Sequence, residues 1–130
     1  MTAIDTAPFL GLPHATITLA SASVTRQNIL RAAGVDFNVA PTAIDEARVR
    51  ADAQAGDMAA DEIAVLLAFL KAQVASQILL PTQSPTNSSY IIGCDQLLLI
   101  DDHIMAKPES LTEAKQQLLM LYFQSHRKKI

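Results

Sequence analysis

The residues of this chain that could do chemistry fall at the ends of apolar runs. Asp95 follows Tyr90-Ile91-Ile92 through Gly93-Cys94, and after Gln96 the run resumes as Leu97-Leu98-Leu99-Ile100. A carboxylate so placed is held rigidly at a strand end, where open α/β sheets keep their ligands. Desolvating it costs on the order of several kcal/mol unless a metal ion or a paired group offsets the loss. The alternative is an aspartate that caps the turn. Ser21-Ala22-Ser23-Val24-Thr25-Arg26 joins a strand pattern to a helix pattern. Unpaired N–H groups at a helix start, with the forked donors of Arg26, form an anion cradle; the same residues also suit an ordinary capped helix with a solvated arginine. Twelve residues beyond Asp95, Lys107-Pro108 adds a cation. Together these features suggest a phosphate-handling site.

Other candidates have two readings each. Asp45 and Glu46 could ligate a hard cation such as Mg²⁺, or simply favour a helix start. Lys71 sits at the edge of an apolar stripe, where a lysine usually extends its ammonium to water. Cys94 reads as a small buried residue beside the site, since no companion histidine marks it as a nucleophile. His14, His103 and His126 fall in loops without paired spacing, so zinc is not expected.

The elements that must position these groups can be read in order. Ala15 to Ala20 reads as a strand after an N-terminal extension, residues 1–14, that contains Pro8 and Pro13. A helix is expected from Val24 to Ala33, with Gly34 as its left-handed cap. Val35 to Val39 alternates like a strand, and an alanine-rich segment runs from Ile44 to Gly56. Asp57 is placed to cap a helix whose stripe is Ile63, Leu66, Leu67, Leu70 and Val74. A polar loop spans Pro81 to Ser89. Tyr90 to Ile100 supplies one long strand or two short ones, with a turn at Asp101-Asp102 and a return strand at Ile104-Met105. Ser110-Leu111-Thr112-Glu113 is a capping box that opens a last helix through about Tyr122. This order argues for a mixed or parallel sheet with helices packed on it, in a single domain spanning 1–130.

Composition excludes some classes. Half of the 130 residues are hydrophobic, yet no run of about 18 uncharged apolar residues occurs, so a membrane partner is not expected. The first residues lack the charged-then-apolar pattern of a secretion signal. A net charge of -3 without a basic face argues against nucleic acid as a partner. The single cysteine suits a reducing compartment, and the expected location is cytoplasmic.

Taken jointly, Leu19-Ala20-Ser21-Ala22-Ser23-x-x-Arg26, Ile44-Asp45-Glu46, Lys71-Ala72, Ile92-Gly93-Cys94-Asp95-Gln96 and Lys107-Pro108 resemble the Maf family of nucleotide pyrophosphatases. The resemblance runs from about Thr16 to His126. It implies a twisted mixed sheet flanked by helices, of the inosine-triphosphate-pyrophosphatase type. The implied reaction is hydrolysis of a nucleoside triphosphate to monophosphate and pyrophosphate, a house-cleaning step of nucleotide metabolism that uses a divalent cation, Mg²⁺ or Mn²⁺. It further implies that Ser21 and Arg26 bind phosphate, that Glu46 and Asp95 hold the metal and serve catalysis, with Asp95 as ligand or general base, and that Lys71 and Lys107 hold phosphate oxygens. Gln96, where other members carry threonine, is similar to the subgroup acting on 7-methyl-GTP. Members tend to be homodimers.

The chain also departs from that pattern. Val24 and Thr25 replace the usual proline and first arginine, Leu70 replaces an acid, and Phe123-Gln124-Ser125-His126 replaces a Gly-Arg-Thr-His turn. The family continues beyond the point where this sequence ends, so an incomplete sheet and cleft are expected. That would bring self-association or low stability, and weak activity. The alternative is a nucleotide-binding or partner-binding module without turnover.

Overall fold

The computed structural model of the chain describes residues 15–79 and 88–127. The elements run β1 (Ala15–Leu19), α1 (Val24–Ala32), β2 (Asn38–Val39), α2 (Glu46–Ala55), α3 (Ala60–Leu79), β3 (Ser88–Ile92), β4 (Leu98–Ile100), β5 (His103–Met105) and α4 (Leu111–Arg127). They form two compact units, one ending at Asp95 and one beginning at Gln96. The N-terminal extension expected over residues 1–14 and most of the polar loop 81–89 lie outside the described residues.

In the first unit β1 is the central strand of a parallel sheet in the order β2-β1-β3. Ile17, Thr18 and Leu19 are all buried. Burial of successive residues, on both faces, is what an interior parallel strand requires. The ladder continues past the strand ends, with Ala20 N–H donating to Ile92 O and Ala40 N–H donating to Leu19 O, each at 2.9 Å. The chain leaves β1 through α1 to β2 on one side, then passes through α2 and α3 to β3 on the other. β1 and β3 therefore lie at the point where strand order reverses, and the crevice beyond their carboxyl ends is where such sheets hold ligands.

Local chemistry explains the boundaries. Ser23 caps α1 by accepting from Arg26 N–H. At its other end Gly34 adopts φ 74°, while Val35 N–H donates to Leu30 O and Gly34 N–H to Arg31 O. That paired closure commits Val35 to ending the helix. The strand expected from Val35 is accordingly only Asn38–Val39. α2 is capped by Asp45, which accepts from Arg48 N–H at 3.1 Å. Asp57, expected to cap α3, instead takes φ 58°, and Glu62 reaches back to accept from Ala59 N–H.

Along α3 the buried residues are Ile63, Leu67, Lys71 and Ala75, one per turn. Leu66, Leu70 and Val74 are only half-buried, so the stripe is rotated from the expected one and centres on a lysine. α3 has the length and hydropathy of a membrane span. Yet Lys71 is engaged in ion pairs with Glu46 and Asp95, which gives this helix the role of a core element within its unit.

In the second unit β4 and β5 form an antiparallel hairpin with Leu98 opposite Met105 and Ile100 opposite His103. Asp101 and Asp102 both take positive φ, 43° and 64°, as a two-residue turn matched to strand twist requires. His103 thus opens a strand, and His126 falls within α4, not in loops. Ser110 accepts from Glu113 N–H, as the capping box predicts, and the Glu113 carboxylate accepts from Glu109 N–H. Gln117 donates to Ala106 O, and Gln124 to Asp101. α4 leaves Leu118, Leu119, Tyr122 and Phe123 exposed.

Leu67 is fully buried beneath this first sheet. Leu67→Ala is expected to lower stability by about 2–5 kcal/mol, read from urea unfolding midpoints at constant slope.

Candidate active site

Three charged side chains from three segments meet in the first unit. Lys71 enters from the buried face of α3, Glu46 from the first residue of α2, and Asp95 from the segment after β3. Lys71 Nζ lies 2.8 Å from Glu46 Oε1 and 2.9 Å from Asp95 Oδ1, and it donates to the Cys94 carbonyl at 3.4 Å. Three acceptors therefore face the three donors of one ammonium. Its side chain is 9% exposed, that of Asp95 7%, and that of Glu46 38%. The lysine does not extend to water, because two carboxylates 25 and 24 positions away in sequence receive it inside the fold.

Burial by itself would push the Lys71 ammonium towards deprotonation. Hydrogen bonds to Glu46 and Asp95, and their negative charge, outweigh that effect and raise its pKa above the ordinary 10.5. The group is a permanent cation at neutral pH. Asp95 is more unusual: Oδ1 is paired with Lys71, but Oδ2 is buried with no hydrogen-bond partner. An unsatisfied buried carboxylate oxygen costs about 1–3 kcal/mol or more. It is the expected signature of an oxygen held for a ligand.

Gly93 makes the approach possible. A Cβ on this residue would stand 1.9 Å from the Ala68 carbonyl oxygen and 3.1 Å from the Ala72 methyl. Ala68 and Ala72 bracket Lys71 on α3, so small residues on both sides let the end of β3 close on the helix. Without that closeness Asp95 would not reach the ammonium.

The second predicted group assembles at the adjacent strand end. Ser21 is buried, and its Oγ accepts from Ser23 N–H at 3.1 Å and from Arg26 Nη1 at 3.4 Å. This braces the turn from β1 into α1 and holds the guanidinium beside the helix N-terminus. Because Leu19 is in register with Ile92, the Ser21 and Asp95 segments leave neighbouring strands at their carboxyl ends. Among the described residues no hydrogen bond or ion pair joins the two groups. Gln96 and Lys107 belong to the second unit, where both are exposed.

One participant was not singled out by sequence reasoning. Arg50, one turn after Glu46 on α2, places Nη1 3.6 Å from Glu46 Oε2, with its side chain 19% exposed. The only signal was the i, i+4 spacing of opposite charges, which on most helices marks a surface pair. Arg48, with 79% exposure, is such a residue.

For a divalent cation, the donors at hand are Asp95 Oδ2 and the Glu46 carboxylate. No group of three or more metal-ligating side chains occurs among the described residues. Two carboxylates still suit Mg²⁺, which is commonly held by one or two of them, with waters and substrate phosphates completing the shell. The orphaned Oδ2 makes the fit a chemical one.

Two outcomes test this geometry. Lys71→Met removes the one cation between two carboxylates and is expected to cost about 3–5 kcal/mol at neutral pH; adding Glu46→Gln and Asp95→Asn should recover part of the loss in the same urea titration. Because the folded pKa of Lys71 lies above its unfolded value, its contribution is complete below that value and is lost as pH rises through the folded one. Wild-type stability should therefore fall at alkaline pH above about 10.5, with that limb missing in Lys71→Met. Gly93→Ala should likewise lose the alkaline limb, by forcing Asp95 away from Lys71, and lower the melting temperature.

The sequence matches the Maf-like protein family over residues 16–128. It is 38% identical over 98 residues to a nucleoside triphosphate pyrophosphatase of Salinispora tropica, covering 75% of this chain and 40% of the relative. A nucleoside triphosphate pyrophosphatase of Rhodospirillum rubrum is 36% identical over 110 residues, with coverages of 85% and 51%. A 7-methyl-GTP pyrophosphatase of Brucella abortus is 33% identical over 110 residues, with coverages of 85% and 52%. The chain thus spans about half the length of these curated relatives. A family match across nearly the whole sequence, with the Asp95, Lys71 and Glu46 cluster assembled at the strand-order reversal, shows that this chain belongs to the Maf family.

Proposed function

We propose that this chain carries the catalytic pole of a nucleoside triphosphate pyrophosphatase, cleaving a triphosphate to the monophosphate and pyrophosphate. The observation that carries the reading is the buried, unpartnered Oδ2 of Asp95 beside a saturated ammonium. Such an oxygen is oriented before any ligand arrives, because Lys71 fixes the other half of the carboxylate. Electrostatic catalysis depends on groups of this kind, which need no reorganisation during reaction.

In this reading Asp95 and Glu46 hold Mg²⁺ or Mn²⁺. The bound ion supplies polarisation of the phosphate oxygens and a lowered pKa for an attacking water. Ser21, braced by Ser23 N–H, and Arg26 with the α1 N-terminus provide positive potential for phosphate oxygens at the neighbouring strand end. Attack of water at the α-phosphorus forms one P–O bond and breaks the bond to the bridging oxygen, which leaves with pyrophosphate, while the water's proton passes to Asp95 as general base. The names borne by the relatives support this reaction class.

Finer assignments belong to the same proposal. Gln96 makes 7-methyl-GTP the first nucleotide to test, Lys107 a further phosphate contact and a homodimer the expected assembly. A cytoplasmic setting would keep the unpaired Cys94 reduced. One departure favours a second reading, of nucleotide binding without turnover: Thr25 stands where the family pattern has its first arginine, which removes one phosphate-binding cation.

Pyrophosphate release from a panel of canonical triphosphates and 7-methyl-GTP, with Mg²⁺ or Mn²⁺, separates the two. Turnover is expected, with Asp95→Asn reducing it by about 10²-fold or more. Should no triphosphate be cleaved while nucleotide still raises the melting temperature, the binding reading holds in its place.

A further inference from the structure

Lys71 is poorly placed to meet a ligand. Its three donors face Glu46 Oε1, Asp95 Oδ1 and the Cys94 carbonyl, and its side chain is 9% exposed. A phosphate oxygen arriving at this end of the sheet would have to displace one of those acceptors from an ammonium that holds the carboxylates in place. The local charge adds to the difficulty. Lys71 carries one positive charge against two negative ones, so the cluster would repel an anion if nothing else stood beside it.

Arg50 stands beside it. Its side chain is four-fifths buried, unlike that of Arg48 on the same helix, so its position is set by packing rather than by solvent. Among the described residues its one polar contact is the 3.6 Å approach of Nη1 to Glu46 Oε2, too long for a hydrogen bond. A guanidinium offers five donors in a rigid fork matched to phosphate oxygens. The Glu46 carboxylate, already held at 2.8 Å by Lys71, does not use them up. Here, then, is a desolvated cation with donor capacity directly beside the cluster, whose total charge it brings to zero.

We propose that Arg50 is the phosphate-contacting cation of this cluster, turning its fork from Glu46 to a polyphosphate ligand, while Lys71 remains the internal counter-ion of Glu46 and Asp95. The proposal rests on the pyrophosphatase reading above and deepens it by dividing the two cations between holding the site and holding the ligand. The charged groups facing Arg50 are Glu46 on its own helix and, through Glu46, Lys71 of α3 and Asp95 after β3.

Inorganic tripolyphosphate tests this without reference to the base. Its affinity for the full chain and for Arg50→Met and Arg50→Lys is measured calorimetrically with and without Mg²⁺, with inorganic phosphate as the control ligand and the ligand-free melting temperature as the control for folding. Arg50→Met is expected to weaken tripolyphosphate binding by about tenfold or more, as loss of a charge-assisted contact does. The melting temperature should stay within a degree or so of wild type, and Arg50→Lys should fall between, since an ammonium restores the charge but not the fork. Unchanged tripolyphosphate affinity in Arg50→Met overturns the proposal, as does a loss that comes only with a lowered melting temperature. If the wild-type chain itself fails to prefer tripolyphosphate to phosphate, the pyrophosphatase reading fails along with it; a wild-type preference that survives in Arg50→Met sinks only the assignment to Arg50.

Discussion

The ammonium of Lys71 is the interaction on which the first unit depends. It lies on the buried stripe of α3 between Leu67 and Ala75, and it draws the start of α2 and the segment after β3 to the same point through Glu46 and Asp95. Without it the two carboxylates would meet at that point with no cation between them. Gly93 has no side chain because the approach is close: a Cβ there would stand 1.9 Å from the Ala68 carbonyl oxygen, between strand and helix. A buried ion network of this kind is seldom the most stable filling for its volume, since apolar residues of similar size often do as well or better. Stability alone therefore does not account for a lysine at the centre of a core stripe. Holding Asp95 with one oxygen paired and the other unpaired does.

The sheet supplies the second constraint. Because β2 and β3 are added on opposite sides of β1, β1 and β3 flank the point where strand order reverses, and their carboxyl ends are where open α/β sheets hold ligands. Both chemically distinctive segments of the unit start there, Ser21 to Arg26 from β1 and Gly93 to Asp95 from β3. The parallel register that sets Leu19 against Ile92 is thus also what sets a braced guanidinium and a fixed carboxylate at one end of the sheet.

What could be read from sequence was what is encoded locally. Asp95 stood out because it interrupts an apolar run and Ser21 because it stands where a strand pattern passes into a helix pattern, and the caps at Ser23 and Ser110 follow from side-chain oxygens next to helix patterns. Lys71 was legible as a position but not as an environment. Helical periodicity places it at the stripe's edge, and only the fold brings Glu46 and Asp95 to it from distant positions. β2 came out shorter than its alternating pattern, since Val35 N–H is spent on closing α1. Asp57 looked like a cap, yet the chain turns there with positive φ and leaves that task to Glu62. Arg50 escaped notice for the opposite reason: its spacing from Glu46 is so ordinary on a helix that nothing local distinguishes it from a solvent-exposed pair.

That contrast bears on how charge is distributed in the site. A buried cation fully occupied by protein acceptors contributes potential but no donors, whereas a partly buried one with a single long contact contributes both. Lys71 and Arg50 stand at these two limits, within one Glu46 carboxylate of each other. With both counted, the cluster is neutral, so it does not repel an incoming anion. A metal ion and a polyphosphate arriving as a pair would satisfy Asp95 Oδ2 and the Arg50 fork together, each offsetting the charge the other brings. In the proposed reading, a balanced cluster with one unpartnered acceptor and one under-used donor group is matched to a metal–polyphosphate complex, the acceptor taking the ion and the fork the phosphate.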